Sequence, residues 1–331
     1  MSRNISKIKL KKQISFFSLN SPDFGRGHFN RINTLTKILK LKKPNFNHYF
    51  YKNTNKEKNR FIKTILKEIS SDKKIILDIT NEKFLSSFLV KKLKKIILNY
   101  NYKDICIIDS PYKKNLTLSL NINFIKCFIP FEISKDLSKE LIFLRKKAVG
   151  LSYFIHPRLK FNKKKNKKKI IVISFGASDL YRGTLYVLNL IKKNKFNHNC
   201  EFKVILGNFF NRDYSRKINS ICKKQKIKIL NFSKNFQKTL VNSDILITNS
   251  GLTKYEGIIN LNHTIIFSDN KKLEQIDKIF CKKTNQTHFS YKKNVSKDVK
   301  RFNNIINNKL SIKSLKTMIK PNYKKINKFF L

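Results

Sequence analysis

The chain has 331 residues, of which 40% are hydrophobic and 12% aromatic, a composition that excludes an intrinsically disordered protein. Lysine and arginine outnumber aspartate and glutamate by 73 to 20, which gives a formal net charge of +53. This length predicts two domains of roughly 150 residues each, and no apolar run reaches the about 18 residues that a membrane-spanning helix needs.

The positive charge has two explanations, a nucleic-acid partner or a bias of the coding sequence. Lysine, asparagine, isoleucine and phenylalanine are abundant, whereas the chain has only 8 glycines, 6 prolines and no tryptophan. Because the basic residues are spread along the chain and form no recognisable nucleic-acid module, we favour the compositional explanation. The alternative to an enzyme is a basic nucleic-acid-binding protein. The positive charge also allows peripheral contact with an anionic membrane. The sequence does not determine the oligomeric state.

The cysteines indicate a reducing compartment, and the expected location is the cytoplasm. They form no C-x-x-C pair and no metal-like cluster with histidine, and their odd number suits free thiols. The apolar run after the basic N-terminus is too short for a signal peptide. The five positions are Cys106, Cys127, Cys200, Cys222 and Cys281.

The first strand, loop and helix carry the most distinctive motif of the N-terminal half. The apolar run from Ile14 to Leu19 predicts a strand, and a helix is expected from about Phe29 to Leu41. Between them, Gly25 and Gly27 allow a sharp turn and leave room for a ligand. His28 lies at the helix start, where the helix dipole disfavours the imidazolium and keeps a neutral ring available as a base.

The remainder of this half alternates between strand and helix patterns, which predicts a doubly wound α/β sheet. Its ligand crevice is expected beyond the carboxyl ends of the strands. Apolar runs predict strands at 74–78, 104–109 and 124–129, and helical spacing of apolar residues predicts helices at 58–70 and 84–98.

The pattern changes between Ala148 and Lys169 and then restarts. We therefore predict domains over 1–150 and 151–305, followed by a C-terminal helix within 306–331 that packs back on the first domain. The lysine-rich run 161–169 is expected to be a solvated loop. A strand from Lys169 to Phe175 leads into the loop Gly176-Ala177-Ser178-Asp179 and a helix that ends near Lys193.

The second half contains another glycine loop with candidate ligand-binding residues. Strands are predicted at 202–207, 227–230 and 244–249, with helices at 214–225 and 236–241, and the last strand runs into Ser250-Gly251. Gly251 and Thr253 at a helix start suit a diphosphate, and Glu256 could accept hydrogen bonds from both hydroxyls of a ribose. Alternatively, Thr253 is a helix cap and Glu256 a first-turn charge that favours the dipole.

With these motifs the chain resembles the MurG-like glycosyltransferases of the GT-B fold. The resemblance is greatest to the branch that contains pseudaminic-acid-pathway UDP-sugar hydrolases and spore-coat polysaccharide proteins. The G-x-G-H-x-x-R signature is matched by Gly25, Gly27, His28 and Arg31. The G-[GA]-S-D loop is matched at 176–179, and G-x-T-x-Y-E by Gly251, Thr253, Tyr255 and Glu256.

The resemblance implies two Rossmann-like domains facing a central cleft, with UDP on the C-terminal domain and His28 as the catalytic residue. No metal and no cofactor are expected. The implied nucleotide-binding residues are Gly176, Ser250, Gly251, Thr253, Tyr255 and Glu256. The implied substrate-binding residues are Gly25, Gly27, Arg31, Ser178, Asp179 and Asn270.

The leading functional expectation is a UDP-amino-sugar hydrolase of the pseudaminic-acid type in surface glycan synthesis. There His28 activates water at the anomeric carbon and UDP leaves. The alternative enzyme is a metal-independent transferase with a UDP-sugar donor and a glycan or lipid acceptor. The chain departs from the family pattern at Asp269-Asn270-Lys271 and at Pro130-Phe131-Glu132. These departures leave the sugar, and the choice between water and acceptor, open.

Overall fold

A computed structural model describes residues 12–23, 27–43, 45–111, 115–156, 167–194, 196, 200–232, 236–260, 262–290, 292, 294–307 and 321–331. Its contacts divide the chain into two compact units. Of the described residues, the first unit contains 12–23, His28–Ile155 and Asn322–Leu331, and the second contains Gly27 and the described part of His156–Pro321. Gly25 and the lysine-rich run up to residue 166 lie outside the described residues.

The first unit alternates strands with helices along the chain. Short 3₁₀ turns at Leu141–Phe143 and Leu151–Tyr153 flank its last strand. The elements are β1 (Ile14–Leu19), α1 (Gly27–Ile38), β2 (Phe46–Tyr51), α2 (Asn55–Ser70), β3 (Lys74–Asp78), α3 (Ser87–Asn99), β4 (Ile105–Ile108), α4 (Leu116–Leu120), β5 (Lys126–Ile129), α5 (Lys135–Glu140) and β6 (Lys146–Val149).

The strands of the first unit form one parallel sheet in the order β2-β1-β3-β4-β5-β6. Successive residues of β1 point to opposite faces, so Phe16 packs in one apolar cluster and Phe17 in the other. Helices cover both faces, as parallel sheets require. The chain reverses its direction of winding between β1 and β3, which makes their carboxyl ends the expected ligand position.

The second unit repeats this architecture with its own core. Its elements are β7 (Lys169–Ser174), α6 (Gly183–Lys192), β8 (Cys200–Leu206), α7 (Arg212–Lys224), β9 (Lys228–Asn231), α8 (Phe236–Val241), β10 (Ile245–Asn249), α9 (Thr253–Ile259), β11 (His263–Phe267), α10 (Lys271–Thr284), β12 (Thr287–Phe289) and α11 (Val295–Asn307). The parallel sheet has the order β12-β11-β10-β7-β8-β9. Its winding reverses between β7 and β10.

The last described helix, α12 (Tyr323–Phe330), belongs to the first unit. Its Phe330 ring lies 4.6 Å from the ring of Phe128 on β5, measured between centroids. Ile326 and Phe329 join the same apolar cluster, which also contains Phe16 of β1. The final ten residues of the chain therefore help to form the core of the first unit.

The predicted class, α/β with two doubly wound Rossmann-like sheets, is confirmed. The strands β2, β6 and β12 were not predicted from the sequence. Segment 46–51 reads Phe-Asn-His-Tyr-Phe-Tyr, an aromatic and polar mixture without the aliphatic run that marked the other strands. Helix α1 also ends at Ile38, three residues before the predicted end.

Candidate functional site

The first cluster of functional side chains lies at the winding reversal of the first unit. Asp78 is the last residue of β3, and in the sheet it is the register partner of Ser18 on β1. His28 is the second residue of α1. Its Nδ1 lies 2.7 Å from Oδ1 of Asp78, and its side chain retains 15% of its exposure. The topology thus pairs a partly exposed imidazole with a fully buried carboxylate.

Arg31, one turn further along α1, holds the other side of this carboxylate. Its Nε donates to Oδ2 of Asp78 at 2.7 Å and its terminal nitrogen donates to Oδ1 at 2.5 Å, a bidentate arrangement. The guanidinium also lies 5.6 Å from the ring centre of Phe131. Arg31 was predicted to bind substrate; in this structure its charge balances Asp78.

Burial by itself raises the pKa of Asp78, but the Arg31 charge and the hydrogen bonds from His28 and Arg31 outweigh it. The pKa of Asp78 therefore lies below its usual value and the group is an anion. Because a carboxylate only accepts hydrogen bonds, the proton of the His28 ring belongs on Nδ1. Nε2 is then the unprotonated nitrogen, which is the arrangement of a general base.

A second histidine, His48 on β2, completes this region. Its Nε2 lies 2.7 Å from Oγ of Ser18, and its ring stacks on Phe29 with centroids 5.2 Å apart. Burial lowers the pKa of His48 to about 4, partly offset by the charge of Asp78. His48 is therefore neutral at physiological pH and supports the start of α1. Gly27 was predicted to lie in the loop before the helix but is the first residue of α1, while Gly25 lies outside the described residues.

In the second unit, hydrogen bonds to Asp179 stabilise the predicted loop after β7. Gly176 has a φ of +77°, a conformation that glycine adopts without strain. Asp179 accepts hydrogen bonds from the backbone N–H groups of Gly183 and Thr184 at 2.7 and 2.9 Å. Tyr214 donates to the same carboxylate at 2.5 Å. Asp179 is thus a buried cap of α6, while Ser178 is partly exposed in the turn before it.

The loop after β10 rests on a buried network that the sequence analysis did not anticipate. Asp277 of α10 accepts a hydrogen bond from Lys254 Nζ at 2.6 Å, and both side chains are almost fully buried. Its second oxygen accepts from the hydroxyls of Ser250 and Ser268 at 2.6 and 2.7 Å. The Ser250 hydroxyl, predicted to bind the nucleotide, instead donates to Asp277 and accepts from the Asp269 N–H at 3.2 Å.

The remaining nucleotide residues lie on or beside α9. Gly251 is exposed and precedes the helix, which Thr253 begins. Tyr255 is buried, with its ring 4.9 Å from that of Phe280, so this side chain is part of the core. Glu256 accepts a hydrogen bond from the Gln237 side chain at 2.9 Å, and burial raises its pKa to about 7.

Asn270 and Asp269 follow β11 at the same carboxyl edge of the sheet. Asn270 caps α10 by accepting a hydrogen bond from Leu273 N at 3.0 Å, and its amide lies 3.4 Å from the Tyr181 hydroxyl. Burial, together with the charges of Asp277 and Asp179, raises the pKa of Asp269 to about 7. Among the described residues, no group of three or more His, Cys, Asp or Glu side chains could hold a metal ion.

Asp78, His48, Asp277 and Lys254 are the site residues that sequence reasoning missed. Asp78 offered a signal, a carboxylate at the end of an apolar strand beside the glycine loop. His48 and Asp277 lie in segments whose pairing partners are 30 and 27 residues away in the chain, Ser18 and Ser250. Nothing local distinguishes such residues from surface ones.

No family model matches the chain. A curated protein of Methanocaldococcus jannaschii, described as uncharacterized, is 30% identical over 136 residues. That alignment covers 39% of this chain and 27% of the archaeal protein, so the chain spans about a quarter of the length of this curated relative.

Solved structures match over almost the whole chain and define its fold class as GT-B. The Staphylococcus aureus MnaA structure with UDP has a TM-score of 0.62 and 11% identity, covering 94% of this chain and 93% of MnaA. MurG of Acinetobacter baumannii has a TM-score of 0.57 and 11% identity, covering 94% and 95%. The lipopolysaccharide outer core galactosyltransferase WaaB has a TM-score of 0.53 and 9% identity, covering 96% and 94%.

The resemblance to MurG-like proteins is thus supported at the level of the fold. Identities of 11% do not assign the chain to any branch of these proteins, and they do not support the pseudaminic-acid hydrolase branch. Among the described helices, none is long and apolar enough to cross a membrane.

Proposed function

We propose that the chain transfers a sugar from a UDP-sugar donor to a hydroxyl group of a glycan or lipid acceptor, with His28 as the general base. The observation that supports this proposal is the His28–Asp78 pair at the winding reversal of the first unit, 2.7 Å between Nδ1 and Oδ1. Parallel α/β sheets bind their ligands at that position.

The chemistry follows from the ring nitrogen that Asp78 leaves free. The acceptor hydroxyl gives its proton to Nε2 of His28 while its oxygen forms a bond to the anomeric carbon. The bond between that carbon and the diphosphate oxygen breaks, and UDP leaves with the electron pair. Asp78 stabilises the imidazolium that forms, and the positive charge of Arg31 keeps Asp78 ionised.

The second unit is the proposed UDP-binding part. Its reversal between β7 and β10 brings the loops that begin at Gly176 and Ser250 to one edge of the sheet. Gly251 and Thr253 are available beside the diphosphate, and Glu256 beside the ribose. The solved structures of this fold include a UDP complex of MnaA and a galactosyltransferase, names that fit a transferase at least as well as a hydrolase.

Hydrolysis of a UDP-amino-sugar of the pseudaminic-acid type is the second candidate. It uses the same base and differs only in the nucleophile, because water takes the place of the acceptor. The partly exposed His28 ring, at 15% of its free exposure, is accessible to either nucleophile.

The deciding experiment incubates the protein with UDP-sugars in oxygen-18 water, with and without glycan or lipid acceptors. A transferase releases UDP only when an acceptor is present and leaves no label in free sugar. A hydrolase releases UDP without an acceptor and places the label on the anomeric carbon. If the protein shows neither transfer nor hydrolysis over a panel of UDP-sugars, the proposal is contradicted.

His28→Ala is expected to lower turnover by roughly 10²–10⁴-fold, the contribution of a positioned acid-base group, with UDP affinity nearly unchanged. His263→Gln is the matched control, because His263 lies on β11 and bonds to Thr287 within the second unit. Full activity in the His28 variant would reject the assignment of the base in both candidate reactions.

A further inference from the structure

The sheet of the second unit carries charged side chains on a face that is normally apolar. Strands of a parallel sheet are covered by helices on both faces and are therefore mostly apolar. In β8, Lys203 points to the same face as Ile205, which packs in an apolar cluster with Leu240 of α8. On the neighbouring strand β9, Lys228 shares that face with Leu230. Two lysines thus lie on a sheet face whose other end belongs to the core.

Helix α8 is too short to cover the whole of this face. Its 6 residues extend over about 9 Å, whereas the 7 residues of β8 extend over about 23 Å. A cavity of about 240 Å³ lies beside the helix, lined by the apolar Ile170 and Leu230 and by three lysines, Lys203, Lys228 and Lys238. The other lining residues are uncharged. The lining of the cavity therefore carries three positive side chains and no negative one.

Two of these lysines, Lys203 and Lys228, are direct neighbours in the sheet, since they are register partners on β8 and β9. Adjacent strands lie about 4.8 Å apart, and like charges at directly paired positions repel each other. Lys238 adds a third ammonium group from α8, which packs on the same face. The arrangement therefore costs free energy that an anion bound among the three groups would offset.

The acidic groups close to the cavity balance only part of this charge. The carboxylate of Glu201 lies 3.2 Å from the amino group of Lys203, and the Glu201 side chain is 40% exposed. Asp244 accepts a hydrogen bond from a backbone N–H of β7 at 2.9 Å. Among the residues that the structure describes, neither Lys228 nor Lys238 forms an ion pair. Two of the three ammonium groups are therefore available to a ligand.

We propose that this cavity binds a compact multivalent anion of the diphosphate class, held by Lys203, Lys228 and Lys238. The ammonium groups donate hydrogen bonds to the phosphate oxygens, and such charge-assisted bonds are roughly twice as strong as neutral ones. The apolar side chains of Ile170 and Leu230 keep water from one side of the ligand. This lowers the local dielectric constant and strengthens the attraction between the ammonium groups and the anion.

The size, charge and position of the cavity favour this class of ligand. Cavities that hold drug-sized molecules measure about 300–1,000 Å³, so a volume of about 240 Å³ suits a compact anion better than a complete nucleotide sugar. A monovalent carboxylate would satisfy only one of Lys228 and Lys238, whereas a diphosphate can bind both. Ile170 and Lys228 lie at the amino ends of β7 and β9, and the loops proposed to bind UDP follow the carboxyl ends of β7 and β10. The proposal is therefore independent of the proposed reaction.

Acylation of lysine amino groups, followed residue by residue with mass spectrometry, tests the proposal on the full-length protein. Inorganic pyrophosphate should protect Lys228 and Lys238, and at a saturating concentration the acylation rate of Lys228 should fall by roughly 10-fold or more. Lys297 and Lys300 are the matched reporters, because both are exposed on α11, and their rates should not change. Protection of the two pairs to the same extent, or of neither pair, would overturn the proposal.

Lys238→Gln removes one of the three ammonium groups from an exposed position on α8. It should raise the pyrophosphate concentration that half-protects Lys228 by at least about 10-fold, because a charge-assisted hydrogen bond is lost. Lys297→Gln should leave that concentration unchanged, and equal shifts in the two variants would refute the site. ADP distinguishes the two sources of a diphosphate: protection by ADP as well indicates the diphosphate end of a nucleotide, and protection by pyrophosphate alone indicates the free ion. Acetate that protects as well as pyrophosphate does would contradict the diphosphate class.

Discussion

Asp78 is the residue on which the geometry of the first cluster depends. Its Oδ1 is within hydrogen-bond distance of both His28 and Arg31, and its Oδ2 accepts from Nε of Arg31. If the carboxylate is lost, the preferred tautomer of His28 and the charge balance of Arg31 change together. This buried carboxylate therefore sets both the tautomer of one neighbour and the charge balance of the other.

We expect Asp78→Asn to lower turnover by roughly 10²-fold or more, because the amide cannot stabilise the imidazolium. Since Arg31 would remain buried without its counter-charge, stability should fall as well, by up to about 3–5 kcal/mol. Steady-state kinetics and urea unfolding measure the two effects. The measurements should be made at a temperature where the variant is still folded.

Asp109→Asn is the matched control for this prediction. Asp109 follows β4, is equally buried, and accepts hydrogen bonds from Thr80 and Thr117. Its hydrogen-bond donors are Thr80, Ser110, Leu116 and Thr117, and neither His28 nor Arg31 is among them. Its substitution should reduce stability with little loss of turnover in the folded fraction. Equal kinetic losses in both variants would contradict a chemical role for Asp78.

A second residue-scale prediction concerns Glu256 and pH. Its pKa is raised by burial to about 7, so the carboxylate becomes the dominant form only as the pH rises through that value. If the ionised form binds the ribose hydroxyls, UDP affinity should increase between about pH 6 and about pH 8. Glu256→Gln should remove this dependence and cost about 1.5–3 kcal/mol at the upper end.

Calorimetric titration of UDP at several pH values tests this prediction. The phosphate of the ligand titrates in the same range, but its contribution is common to both proteins and cancels in the comparison. Asp269→Asn is the control, since the pKa of Asp269 is also raised to about 7. Unchanged UDP binding in Glu256→Gln would exclude Glu256 from the nucleotide site.

At the scale of elements, the sequence predicted most of the sheets but few of the side-chain partnerships. Runs such as Ile75-Ile76-Leu77 mark buried parallel strands because both faces of the sheet are covered. The edge strand β2 was missed because its residues are only partly buried and mostly aromatic. Edge positions have a weaker pattern than central ones.

The two glycine loops of the second unit follow β7 and β10 as predicted, because their positions follow from local turn chemistry. The functions of Asp179 and Ser250 were harder to foresee. Both stand in motifs associated with ligands, yet Asp179 caps α6 and the Ser250 hydroxyl bonds to Asp277. Only the folded chain shows that a polar group already has a partner from another element.

Helices α9 and α10 are joined by the buried Lys254–Asp277 pair, which leads to a prediction on stability. Lys254→Met or Asp277→Asn alone should destabilise by about 3–5 kcal/mol, because each leaves a buried charge without its partner. The double variant should cost clearly less than the sum of the two. Thermal and urea unfolding provide the coupling energy.

The exposed Arg216–Asp213 pair on α7 is the control for this cycle, with the two groups 3.5 Å apart. Its coupling is expected within about 0.5 kcal/mol, since exposed pairs one turn apart on a helix contribute little. A coupling between Lys254 and Asp277 as small as this one would show that α9 is held by its apolar contacts alone.

At the scale of the whole molecule, the net charge of +53 has consequences independent of any site. If the charge reflects composition, binding to duplex DNA should be independent of sequence. Between 50 and 200 mM salt its affinity should fall by roughly 10³-fold or more, as for association driven by phosphate contacts. Fluorescence anisotropy with several unrelated duplexes tests this expectation. Tight, sequence-selective binding at about 200 mM salt would support a nucleic-acid function instead.

The position of α12 has a consequence for the biosynthesis of the protein. The core of the first unit includes Ile326, Phe329 and Phe330, which are translated after every strand and helix described in the second unit. At about 5–20 residues per second, residues 322–331 follow Ile155 by roughly 10–35 s. During that interval β1 and β5 lack the aromatic side chains that cover them, while the second unit can already complete its own core. Of the two units, the one whose translation begins first is therefore completed second, and a nascent chain stalled before residue 322 should expose Phe16 and Phe128 to chaperones.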